Sequence, residues 1–108
     1  MELTCEKPKI IEDGSYEGVI IGIEYREKPY KYMDLVIEFD KIKLKAGFPQ
    51  TLMKESKLGK LMERFGVDVQ EGMQYNPEKI FIGQKCKFTT VREGKFANII
   101  SESVKKEI

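Results

Sequence analysis

Ser15-Tyr16-Glu17-Gly18-Val19-Ile20-Ile21-Gly22-Ile23-Glu24-Tyr25-Arg26 is the stretch that decides the fold. Glu17, Val19, Ile21, Ile23 and Tyr25 alternate with Tyr16, Gly18, Ile20, Gly22 and Glu24, the period of two that sends successive side chains to opposite faces of a strand. Gly18 and Gly22 fall on one of those faces. Glycines inside a strand mark a bulge or a sharp bend, which a strand shared between the two halves of a closed barrel requires. The stretch therefore predicts a long, bent first strand and favours a barrel over a flat sheet.

Working outward, Glu27, Lys28 and Pro29 break the pattern. Met33, Leu35, Ile37 and Phe39 then alternate with Tyr32, Asp34, Val36 and Glu38, and a second strand ends near Asp40. Ile42, Leu44, Ala46 and Phe48 alternate with Lys41, Lys43 and Lys45 in a third strand closed by Pro49. Ser56 is a good N-cap and Gly66 a good C-terminal glycine for a helix of about three turns. Leu58, Leu61, Met62 and Phe65 recur at spacings of three and four, forming an apolar face that plugs one end of the barrel. Residues 67 to 79 read as a loop, 80 to 91 as a fourth strand and 96 to 103 as a fifth, with a glycine-containing turn between those two strands. Residues 1 to 13 read as an N-terminal arm and 104 to 108 as a short C-terminal tail.

At 108 residues, 41% of them hydrophobic, the chain has the size of one domain with one modest core. It holds no run of apolar residues long enough to span a bilayer, and its first ten residues carry charges where a signal peptide is apolar, so a cytoplasmic protein without membrane partners is expected. Cys5 and Cys86 form no CxxC pair; two free thiols and neither metal nor cofactor are the expectation. Histidine is absent, which removes the usual general base and the commonest metal ligand. With no phosphate-cradling glycine loop, no nucleophile elbow and no carboxylate pair at a recognisable catalytic spacing, the sequence argues against an enzyme.

Three strands, a capped helix and two strands, β-β-β-α-β-β, is the element order of the OB-fold, an all-β, five-stranded Greek-key barrel whose face on strands two and three commonly binds oligonucleotides. The chain also resembles small OB-fold single-stranded DNA-binding proteins of phages and archaeal viruses. The resemblance rests on Gly14-Ser15-Tyr16-Glu17-Gly18, Ser56-Lys57-Leu58-Gly59-Lys60-Leu61, Gly83-Gln84-Lys85-Cys86 and Asn98-Ile99-Ile100, and covers residues 13 to 101. It implies a barrel and a single-stranded DNA ligand. The chain departs from many cellular relatives of that kind in ending Lys105-Lys106-Glu107-Ile108, where they carry an acidic partner-recruiting tail.

Net charge is only +1, but it is unevenly spread. Residues 26 to 60 hold nine Lys or Arg against five acids, and residues 84 to 96 hold four against one. Tyr30 and Tyr32 on the second strand's outer face, with Lys41, Lys43 and Lys45 on the third, would stack bases and attract phosphates; solvated strand-protecting lysines and plain strand-forming tyrosines explain the same residues without a ligand. Lys87, Arg92, Lys95 and Phe96, on the fourth strand and the last hairpin, form the candidate opposite wall, and Phe96 suits a core position equally well. The function expected is non-catalytic binding of single-stranded nucleic acid, foremost DNA with RNA left open, at low sequence specificity, in DNA replication, recombination or repair. The oligomeric state stays open, a homo-oligomer included. The alternative is an OB-type protein-interaction module or assembly subunit.

Overall fold

The alternation in the opening stretch becomes one continuous strand, β1 (Gly14–Arg26), in a computed structural model that describes residues 3, 12 to 93 and 96 to 107. Its second half pairs antiparallel with β2 (Tyr32–Phe39) and its first half with β4 (Lys85–Glu93). Between Ile20 and Gly22 the register to β2 slips by one residue. Tyr16 and Ile20 therefore face the core before the slip and Ile23 after it, while Ile21 points out and stays 40% exposed. The glycine pattern had predicted this bend.

β2 runs back along β3 (Ile42–Pro49) through a two-residue turn, Asp40-Lys41, in which both residues have positive φ, 47° and 62°. That is the turn geometry whose twist matches the strands on either side. Lys41 thus sits in the hairpin turn and not on the strand face where the alternation had placed it. β5 (Phe96–Ile99) pairs with the far end of β4, and the sheet order is β3-β2-β1-β4-β5.

Helix α1 (Lys57–Arg64) forms where the caps predicted, at eight residues. Ser56 Oγ accepts from the backbone N–H of Gly59 and Met53, both at 3.0 Å, and donates to the Met53 carbonyl at 2.8 Å, which folds residues 53 to 56 onto the first helical turn. Leu58, Leu61, Met62 and Phe65 are buried, Leu61 and Met62 completely. They join Leu35, Ile37, Phe48, Phe81 and Phe88 in one core.

Four further expectations are corrected. Residues 77 to 81 form a second helix, α2 (Pro77–Phe81), because Asn76 caps it by accepting from the Lys79 N–H and Pro77 occupies the first turn, where its missing N–H costs nothing. The fourth strand consequently begins at Lys85 and not at residue 80. The fifth ends at Ile99 and passes through a 3₁₀ turn, Ser101–Ser103. The stretch read as a C-terminal tail is structural. Val104 is fully buried, and Lys105–Lys106 form a sixth strand, β6, on Cys86 and Lys87 of β4. Among the described residues there are therefore six strands in one sheet and two short helices. The expected N-terminal arm lies, apart from Leu3, Glu12 and Asp13, outside the described residues, as does Cys5.

Two outcomes test this packing. Gly59→Ala should lose at least about 2 kcal/mol in urea unfolding, because an added Cβ would lie 1.8 Å from the Met53 carbonyl oxygen, although alanine is the better helix former by about 1 kcal/mol. Burial pushes the Cys86 thiol up to about 11. The unfolded thiol ionises first, so its contribution is intact below about pH 9 and is lost as pH rises toward 11. Cys86→Ala should accordingly lose less stability than the wild type between pH 8 and pH 10.5 in matched urea melts.

Candidate nucleic-acid interface

The register places successive rows of side chains across the outer face of β1, β2 and β3. Arg26, Tyr32 and Pro49 form one row, Glu24, Asp34 and Gly47 the next, then Gly22, Val36 and Lys45, then Val19, Glu38 and Lys43. The first rows hold a bidentate ion pair stacked on a ring. Arg26 grips Asp34 with two bonds, Nε to Oδ2 at 2.6 Å and a terminal nitrogen to Oδ1 at 3.0 Å, and its guanidinium carbon lies 5.1 Å from the centre of the Tyr32 ring. The bond to Asp34 holds the guanidinium pKa above its ordinary value. Gln50 braces the row by donating to the Tyr32 carbonyl at 2.7 Å.

Any residue larger than glycine at position 47 would have to displace this group. A Cβ at Gly47 would stand 2.9 Å from the Asp34 carboxylate and 3.3 Å from the Arg26 guanidinium. The sequence reading does not single out Arg26, yet the signal is present: closing the first hairpin sets Arg26 opposite Tyr32 and, two residues out of step, diagonal to Asp34 on the same face.

Tyr32, Lys43 and Lys45 are the predicted residues that the register brings onto one face. Tyr30, expected on the strand, lies instead before β2 in the connection of residues 27 to 31, because the strand pairing begins only at Tyr32, and the residue is 74% exposed. The face is less uniformly solvated than alternation implies, because Asp34 and Val36 are buried on it. It is also less positive. Lys45 Nζ lies 2.6 Å from Glu24, which raises the lysine pKa, and Lys43 stands opposite Glu38. Lys57 and Lys60, which swell the positive sum over residues 26 to 60, belong to α1 and not to this face.

The remaining predicted residues are spread along β4. Lys87 pairs with Glu17 at 3.7 Å. Arg92 is exposed, and its backbone N–H donates to Asp13 beside the start of β1, the end remote from Arg26. Lys95 and the side chain of Phe96 lie outside the described residues.

A cleft of about 520 Å³ opens elsewhere, between the β3–α1 and α1–α2 connections, lined by Leu52, Val69, Tyr75 and the exposed Met53 and Met73. Tyr25 leaves the sheet toward α2 and donates to Glu78 at 2.6 Å; partial burial and this carboxylate push its pKa up to about 12. Among the described residues no cluster of His, Cys, Asp and Glu could hold a metal ion, and no helix is long and apolar enough to cross a membrane. No protein-family model matches the chain, and no curated protein is significantly similar to it.

Proposed function

We propose that this protein is a non-catalytic binder of single-stranded nucleic acid, foremost DNA, with low sequence preference, serving replication, recombination or repair. The proposal includes closure of the sheet into an OB-type barrel of the kind found in small phage and archaeal-virus single-stranded DNA-binding proteins. The observation that carries the reading is the exposed Tyr30 and the Arg26-capped Tyr32 at one end of a sheet face along which Lys45 and Lys43 follow two and three rows further on. Tyr32 on the sheet and Tyr30 in the connection leading into it offer stacking platforms, and base stacking is worth about 1 to 3 kcal/mol per base regardless of which base it is. Lys43 and Lys45 supply charge for the phosphates without reading base edges, which accounts for low specificity. The Lys45–Glu24 pair is half exposed on both sides, so it is weak enough for a phosphate to share the lysine. Closure is supported by Ser101, whose hydroxyl donates to the Gly47 carbonyl at 2.9 Å and ties the segment after β5 to β3.

The alternative, an interaction module for another protein, is favoured by one feature, the methionine-bearing cleft beside α1, since methionine adapts to varied apolar partners. Replacing both Met53 and Met73 by lysine should leave oligonucleotide affinity within twofold if nucleic acid is the ligand.

The chain contains no tryptophan, so tyrosine quenching or the anisotropy of a labelled oligo-dT reports binding directly. Tyr30→Ala should weaken binding roughly 5- to 150-fold, the range of one lost stacking contact. Replacing Lys43 and Lys45 together by alanine should make the dependence of log affinity on log salt shallower by about 1.4. Absence of binding by the wild type at tens of millimolar salt overturns the reading.

A further inference from the structure

On the side where α1 meets β6, two grooves of about 180 and 320 Å³ share Arg64 and Glu102 as walls and so form one trough. Lys57, Lys60 and Arg64 recur at spacings of three and four along one stripe of α1, and Lys87 and Lys105 continue the line across the sheet edge. Against these five cations the lining offers two carboxylates, Glu55 and Glu102. Ser15, Thr89 and Ser103 add polar side chains, and the two phenylalanines in the lining, Phe48 and Phe88, are core residues each 1% exposed.

The cations here are less neutralised than those of the tyrosine face. Arg64 spends its donors on backbone, Nε to the Val104 carbonyl at 2.7 Å and a terminal nitrogen to the Ser101 carbonyl at 3.5 Å, and among the described residues no carboxylate forms an ion pair with it. Burial lowers its pKa from the ordinary arginine value, and the nearby Glu102 carboxylate offsets this only in part. Lys87 and Lys105 are direct cross-strand partners, and like charges at that position repel. Only Lys57, 3.3 Å from Glu102, and Lys87, 3.7 Å from Glu17, have acidic partners among the described residues. A trough with five cations against two carboxylates and no exposed ring to stack on suits a chain of phosphates and not a row of bases.

We propose that the α1–β6 trough is a second contact for the phosphate backbone of the same single strand that occupies the tyrosine face, so that a long strand continues around the molecule. This rests on the nucleic-acid reading above. It predicts two length classes of ligand: a strand of about six nucleotides is held by the sheet face alone, and one of about twenty also fills the trough.

The test compares dT6 and dT20 on the wild type and on a Lys60→Ala/Lys105→Ala double variant. Both side chains are exposed and make no ion pair among the described residues, and a thermal melt checks that the variant is folded. The expected result is unchanged dT6 affinity, dT20 affinity weakened at least fivefold, and a dT20 salt dependence shallower by about 1.4, with Lys60→Arg/Lys105→Arg restoring both. Wild-type affinity and salt slope for dT20 in the alanine variant overturn the trough while leaving the tyrosine face standing. Equal weakening of dT6 and dT20 also overturns it, as does full dT20 affinity in a variant from which Tyr30 and Tyr32 have been removed. Failure of the wild type to bind either oligonucleotide at low salt brings down the nucleic-acid reading itself.

Discussion

Everything in this sheet depends on β1 satisfying two neighbours at once. Its first six residues form a ladder with β4 and its later residues one with β2, and both ladders must present apolar side chains to the same core. A strand of strict period two that bends around a core meets that demand poorly, and the slipped register between Ile20 and Gly22 resolves the conflict by spending one residue, Ile21, on the outside. At the same point the backbone of Ile20 is fully used. Its N–H donates to the Gln84 carbonyl at 3.0 Å, and its carbonyl accepts from Gly83 at 2.7 Å. β2 and β4, and through them β3, β5 and β6, take their places from this strand.

The elements legible in the sequence were those whose signal extends over many residues. Eight or more residues of alternation marked β1, β2 and β3, and a serine cap followed by four apolar positions at helical spacing marked α1. What escaped was short. The five residues of α2 span little more than one turn, too few for periodicity, although Asn76 and Pro77 were a recognisable start. β6 has two residues, both lysines, and is held by backbone hydrogen bonds that no side-chain pattern encodes; its one apolar neighbour, Val104, looked like a stray residue in a polar end. Lys41 shows a different failure. Alternation ran correctly through it, but hairpin closure took it for the turn, and a left-handed lysine carries no mark in the sequence.

The candidate site was legible as composition and less so as placement. Tyr32, Lys43 and Lys45 share a face because alternation determines the face of every residue once one is known. Summing charge along the chain misled, since consecutive residues 26 to 60 cover a sheet face and also the helix behind it. Lysines near one another in sequence were divided between two surfaces. Carboxylates distant in sequence, Glu24 beside Lys45 and Glu17 beside Lys87, came to rest within ion-pair distance. The charge a ligand meets is a property of the folded surface, and pairing rows across strands is the shortest description of it.

The slip in β1 also governs which changes of length this chain can survive. Loss of one residue anywhere between Gly18 and Ile23 restores plain alternation and leaves every residue outside that interval on its present side. Loss of one residue elsewhere in the strand exchanges inside for outside along a whole segment, turning a charged side chain such as Glu17 toward the core in place of Tyr16. Homologous chains should therefore differ in length within that interval and nowhere else in β1, trading curvature of the sheet, not the identity of its faces.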